Sequence, residues 1–248
     1  MDSDKSLTAN FAEDVDVTIP DPIVWYRFEG NGNDSQNSYD GVLQGSPSFS
    51  TDSKEGSSSI QLNGADEYMT MTYSVFRDEF SARTVTAWVR VLSPSGLQNI
   101  YEEGGGRGFA IRINNGVLEA MARSSQEVAV SASYTSTAWK HVAVRFDNGN
   151  LDLFIDGLLA DNGYNANLPS VLYHSDGAGI GKRYGDDPFP ETLDAYFGGL
   201  LDDIRVFDQA LADDEIQAVY NENKSAENSG TMLSVNASVK LYPNPTSS

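Results

Sequence analysis

The sequence predicts an all-β fold in which two antiparallel sheets stack as a jelly-roll sandwich, with one short C-terminal helix. Three observations predict it. Short apolar segments alternate with the period of two that places one strand face on a core. Asn-Gly and Asp-Gly turns separate several of them, and these pairs favour the positive φ of tight hairpins. A helical period of apolar residues occurs convincingly only once, after residue 212. With 248 residues and 40% hydrophobic content, the chain suffices for one large domain with a full core.

Residues 1–21 are acidic without a sustained period and read as a flexible leader. Ile23 to Phe28 then places Val24, Tyr26 and Phe28 on one face. Ser59 to Leu62 and Tyr68 to Met71 follow, and Thr84 to Leu92 alternates Val85, Ala87, Val89 and Val91 against Thr84, Thr86, Trp88 and Arg90. Phe109–Ile113 meets Val117–Ala122 through Asn114-Asn115-Gly116. His141–Phe146 meets Leu151–Asp156 through Asn148-Gly149-Asn150, and Asp156-Gly157 signals a further turn. The last strand starts at Gly198. Period two groups Asp202 with Ile204 and Val206, so Asp202 is expected to point inward, where a carboxylate is costly unless paired or metal-bound. The helix is expected from about Asp213 to Asn221, with Ile216, Val219 and Tyr220 on one side. Residues 224–238 read as a polar linker.

The net charge is −20, which disfavours nucleic acid and anionic membranes as partners. It also disfavours acidic polysaccharides unless a local basic patch opposes the overall field. No apolar run reaches the roughly 18 residues of a membrane span. There are no cysteines, so disulfides, thiolate metal sites and cysteine nucleophiles are excluded. The polar N-terminus, Met-Asp-Ser-Asp-Lys-Ser, carries no signal peptide.

Several segments resemble a known family in order and spacing. They are Trp25 to Asn31 with Asp34 and Asp40-Gly41, then Ser59 to Tyr68, Phe80 to Val89, Trp139 to Ala143, and Leu153 to Gly157. The closing Gly-Gly-Leu-Leu-Asp-Asp-Ile-Arg strand runs to Ala210-Leu211. Over residues 22–223 the chain resembles the laminin-G-like, concanavalin A-like jelly-roll domains of secreted bacterial proteins. The resemblance implies glycan binding or adhesion, often with bound calcium. Leu241-Tyr-Pro-Asn-Pro245, within residues 239–248, is similar to the start of the C-terminal sorting domain of Bacteroidetes type IX secretion substrates. That implies a secreted or cell-surface protein and a truncated sorting domain.

The expected calcium ligands are Glu29, Asn31, Asp34, Asp202 and Asp203, since the first and last strands of such sandwiches are neighbours and calcium takes oxygen ligands. The competing reading makes Asp202 a cap on backbone amides and pairs Glu29 with Arg27 or Arg205. The expected ligand-binding residues are Tyr101 and Arg107 around the glycine tract 104–106, Arg112 on the next strand, and Arg183, Tyr184 and Phe189 in a later loop. Aromatic faces and charged side chains are what sugars require. Alternatively the glycines form a plain hairpin loop and Tyr184 and Phe189 pack over the rim. Trp25, Trp88 and Trp139 read as packing residues and His141 as structural. A Tyr173/His174 acid-base pair meets the objection that adjacent residues of an extended chain face opposite ways. No strand carries the spaced carboxylates of jelly-roll hydrolases. The function expected is a non-catalytic, lectin-like carbohydrate-binding module stabilised by calcium. A domain adhering to a cell-surface protein is second, and a polysaccharide hydrolase or lyase third.

Overall fold

The computed structural model describes residues 17–184, 188–189 and 195–228, with side chains to 222. The strands are β1 (Val24–Tyr26), β2 (Val42–Gln44), β3 (Ser48–Ser50), β4 (Ser59–Asn63), β5 (Tyr68–Met71), β6 (Ala82–Val91), β7 (Leu97–Gly104) and β8 (Gly108–Asn114). They continue as β9 (Val117–Arg123), β10 (Glu127–Ser133), β11 (Lys140–Asp147), β12 (Asn150–Ile155), β13 (Leu158–Tyr164), β14 (Ala178–Ile180) and β15 (Gly198–Phe207). Helix α1 spans Asp213–Asn228.

One sheet has the order β13-β12-β11-β6-β15-β4-β3, with β1 also paired to β15. The other runs β10-β9-β8-β7-β14-β5-β2. Among the described residues the strand pairs are all antiparallel. Val24, Tyr26, Val85, Val89, Ile111, Leu118, Val144 and Ile204 fill the space between the sheets, as alternation on two facing surfaces requires. The three hairpin turns form where expected, with positive φ at Asn115-Gly116, Asn148-Gly149 and Asp156-Gly157.

Three expectations change. Ile19 packs on a second apolar cluster formed by Phe154, Phe207, Leu211, Ile216 and Val219, so the last part of the expected leader belongs to the domain. Helix α1 runs past Asn221 to Asn228 and takes in residues 224–228 of the expected linker, because Ala, Glu and Lys sustain a helix without an apolar stripe. The third change concerns Asp202. Between Asp202 and Arg205 the pairing of β15 with β6 shifts register, so Asp203 and Ile204 together oppose Ala87. Asp203 takes φ 49°, which an aspartate tolerates better than most residues. The bulge reverses the alternation. Asp202 lies opposite Trp88 on the outer face while Ile204 and Val206 stay in the core.

The sorting-motif residues 239–248 and the first 16 residues of the leader lie outside the described residues. Among the described residues no helix is long and apolar enough to cross a membrane.

Candidate functional site

The expected calcium residues meet at the end of β15, but as a hydrogen-bonded network. Asp202 Oδ2 accepts the amides of Lys54 (2.6 Å) and Glu55 (2.9 Å), and its Oδ1 accepts that of Asp203 (2.8 Å). Burial pushes its carboxyl up to about 7, against those amide bonds. Asp203 accepts Trp25 Nε1 (2.6 Å) and holds Arg205 through both oxygens, at 2.8 and 3.1 Å. Arg205 reaches on to Glu222 at 2.6 Å and lies 4.3 Å over the Trp25 ring. Glu29 accepts the amide and hydroxyl of Ser57. Burial alone would raise the Glu29 carboxyl, but these bonds hold it below its ordinary value. Arg27 pairs with Glu55 rather than with Glu29. Asp34 accepts the amides of Trp25, Gln36 and Asn37, and Asn31 caps its own turn at Asn33.

These residues do not fit a calcium site. Their oxygens face N–H and O–H donors, whereas a cation needs converging lone pairs. Among the described residues no three His, Asp or Glu side chains are grouped to hold a metal ion. The network instead fastens loop 52–58 and helix α1 onto the outer face of the first sheet.

The expected ligand-binding residues divide into three. Tyr101 is buried in the core, because a register shift between Asn99 and Tyr101 turns its ring between the sheets. It offers no surface to a ligand. Arg112 and Phe189 meet on the outer face of the second sheet, and Tyr184 reaches Glu102 through its amide, while the preceding Arg183 is half-buried and held by a contact. Arg112 pairs with Glu119 opposite it on β9 (2.6 Å) and sits 3.6 Å over the Phe189 ring. Phe189 packs on Ala110 and Met121 and is only 5% exposed. The amide of Tyr184 donates to Glu102 Oε2 (2.9 Å), leaving its ring 43% exposed. Arg112, Glu119, Met121, Ser131, Asp161 and Phe189 border a groove of about 340 Å³. The shared outer face of Glu102 and Glu119 follows from the parity of β7 and β9.

Arg107 stands apart, exposed in the turn between β7 and β8, where it lines an open cleft with Gly105, Gly106, Ser124, Tyr173, His174 and Asp176. His174 sits under this turn. Its Nδ1 is 3.2 Å from the Asp176 carbonyl oxygen, and burial lowers its basicity. Tyr173 is 59% exposed and His174 is 7% exposed, consistent with adjacent residues facing apart.

Sequence and structure comparisons bear on this architecture. No curated protein sequence matches the chain significantly. Domain 4 of AbnA, an extracellular GH43 arabinanase from Geobacillus stearothermophilus solved with arabinotriose, superposes with a TM-score of 0.66 at 17% identity. The match covers 82% of this chain and 100% of that domain. The receptor-binding domain of a botulinum neurotoxin C/D mosaic serotype gives 0.62 at 17% identity, covering 81% of this chain and 51% of the toxin domain. The binding domain of botulinum neurotoxin DC, solved with SialylT, gives 0.64 at 14% identity over 82% of this chain. The chain thus spans about half the length of the neurotoxin domains it matches. At such identities these likenesses establish the fold alone. The family described as the Concanavalin A-like lectin/glucanases superfamily matches residues 63–217, from the end of β4 into helix α1. This chain therefore belongs to the concanavalin A-like lectin/glucanase superfamily, in its laminin-G-like branch.

Proposed function

We propose that the protein is a non-catalytic carbohydrate-binding module, with the outer face of the seven-stranded sheet as its sugar platform. The observation that carries this reading is the groove where Arg112, Glu119 and Phe189 meet, in a molecule that also exposes the Tyr184 ring while Glu102 holds its amide. An aromatic face with fixed charged groups suits a sugar's C–H surface and hydroxyls. Full coverage of an arabinanase domain solved with arabinotriose supports the same reading. Catalysis is not part of it. Glu119 is committed to Arg112, and Glu102 is buried beneath the Tyr184 amide. Calcium is left out because the expected ligands are already occupied by protein donors.

The protein is further proposed to work in a secreted or cell-surface setting, exported by the type IX route of a Bacteroidetes organism. The support is the Leu241-Tyr-Pro-Asn-Pro245 motif in the sequence. Adhesion to a protein is the second reading, favoured by Leu158, Leu159 and Tyr164 exposed along the edge strand β13.

Isothermal titration with arabinotriose and a soluble glycan panel tests the first reading. Tyr184→Ala is expected to weaken glycan binding at least tenfold with the melting temperature unchanged. Binding unaltered by Tyr184→Ala removes the platform, and silence across the panel favours adhesion. A melting temperature that is equal in EDTA and in excess calcium is expected. A rise of several degrees with calcium would restore the metal.

A further inference from the structure

The arginines of this acidic chain are almost all engaged inside the protein. Arg27, Arg83, Arg90, Arg112, Arg123, Arg145 and Arg205 form ion pairs, and Arg183 is also held by a contact. Arg107 is exposed and enters none of these ion pairs, and the Nε of Arg77 is buried with no hydrogen-bond partner. The two lie 30 positions apart in sequence. The fold brings both to His174, whose amide donates to the Arg77 carbonyl (3.1 Å) and whose ring lines the same cleft as Arg107.

The cleft, about 480 Å³, has the other parts a sugar site needs. Tyr173 offers an exposed ring. His174 Nδ1 faces a carbonyl oxygen and so carries the ring proton in the neutral form. That leaves Nε2, which is buried and has no hydrogen-bond partner, as an acceptor. Asp176 is the one carboxylate among the lining residues. Gly106 has no structural need to be glycine. Its φ is not positive, and a Cβ there would meet nothing within 4 Å. A residue of minimal size at an open mouth leaves room for a ligand to approach the backbone.

We propose that this cleft at the β7–β8 end of the sandwich is a second saccharide site, distinct from the Tyr184 platform, and that it selects acidic sugars through Arg107. The inference rests on the reading of the protein as a carbohydrate binder and adds a ligand class that the net charge of −20 would otherwise disfavour. The guanidinium fork takes a carboxylate or a sulfate in two parallel hydrogen bonds, so the anion can be either.

The test is isothermal titration of the whole chain with four probes: trigalacturonate, its methyl ester, a sulfated carrageenan tetrasaccharide lacking carboxylate, and arabinotriose. Trigalacturonate or the sulfated tetrasaccharide is expected to bind at least tenfold more tightly than the neutral ester, and the two probes separate carboxylate from sulfate. Arg107→Ala is expected to abolish that preference, Arg107→Lys to restore part of it, and Tyr173→Ala to weaken acid and ester alike. Arabinotriose binding should be indifferent to Arg107→Ala and sensitive to Tyr184→Ala. Affinity for the neutral ester equal to that for both trigalacturonate and the sulfated tetrasaccharide, or an acidic preference that survives Arg107→Ala, overturns the cleft while leaving the platform standing. Binding of none of the four probes overturns the carbohydrate reading together with the cleft.

Discussion

Two clusters of charge on this molecule use the same residue types to opposite ends. At the β15 bulge, Asp202, Asp203 and Arg205 are buried beside the half-buried Trp25, and their charged groups and the Trp25 ring N–H have protein partners. At the β7–β8 turn, Arg107 and Tyr173 are exposed, Arg107 enters no ion pair among the described residues, and the buried His174 Nε2 has no hydrogen bond. A saturated cluster has nothing left to offer a ligand, so its contribution is to the fold. An unsaturated one contributes little to the fold and keeps its capacity for binding. Charge density alone points to the acidic cluster as a metal site, but its carboxylates already accept protein donors.

The largest effect should come from breaking the closed cluster. Arg205→Ala leaves Asp203 buried without its partner and releases Glu222 on helix α1. Removing one member of a buried ion pair costs about 3–5 kcal/mol. Urea denaturation should show that loss as a lower midpoint with an unchanged slope. Arg107→Ala, by contrast, should stay within about 0.5 kcal/mol, as exposed substitutions do. Equal costs for the two would end the distinction between the clusters.

A smaller effect separates two buried titrating groups beneath loop 52–58 and α1. Asp202 is raised from its ordinary 3.8 to about 7. Between those values the folded protein holds a proton that the unfolded chain has lost, so stability falls as pH rises. His141 is lowered from 6.5 to about 3 by burial, with the Arg205 charge adding to it. Between those values the unfolded chain holds the extra proton, so stability rises with pH. Each slope is ~1.4 kcal/mol per pH unit, and the two oppose each other between 3.8 and 6.5. The wild type should therefore be nearly level there. Asp202→Asn should expose the rising slope and cost about 1–3 kcal/mol near neutral pH, because an amide nitrogen cannot accept the Lys54 and Glu55 amides. His141→Phe should expose the falling slope, since neither ring nitrogen has a hydrogen bond to lose and the ring packs edge-on against Trp88. Urea midpoints at pH 4.5 and 6 decide it, and parallel profiles for all three proteins would contradict both assignments.

What was legible in the sequence follows from how local each feature is. The hairpins were, because Asn115-Gly116 and Asn148-Gly149 encode their turns within two residues. The interior of β6 was, because Val85, Ala87, Val89 and Val91 keep an unbroken alternation. Alternation failed where a bulge interrupts it. The positive φ of Asp203 turned Asp202 outward, and the shift before Tyr101 turned its ring inward. Neither bulge is marked by a glycine, so nothing in the residue types announced them. The meeting of Arg112 with Phe189 was half legible, as residue types without a shared surface. The meeting of Arg107 with Tyr173 and His174 was not legible at all, because it depends on which loops the topology brings together.

The smallest effect lies inside one glycine tract. Gly104 has φ +99°, and a Cβ there would stand 2.2 Å from the Arg107 carbonyl oxygen and 2.9 Å from His174 Nε2. Gly104→Ala must therefore move backbone, at a cost of about 1–3 kcal/mol. Gly106 carries neither constraint, so Gly106→Ala should change stability by no more than about 0.5 kcal/mol, and a gain is the natural sign because alanine restricts the unfolded chain. Melting curves of the two variants side by side test this. If Gly106→Ala is as damaging as Gly104→Ala, the tract is needed for the turn throughout. If Gly106→Ala is neutral for folding and weakens acidic-saccharide binding, the glycine at 106 is there for the ligand, and the open cluster differs from the closed one down to a single missing methyl group.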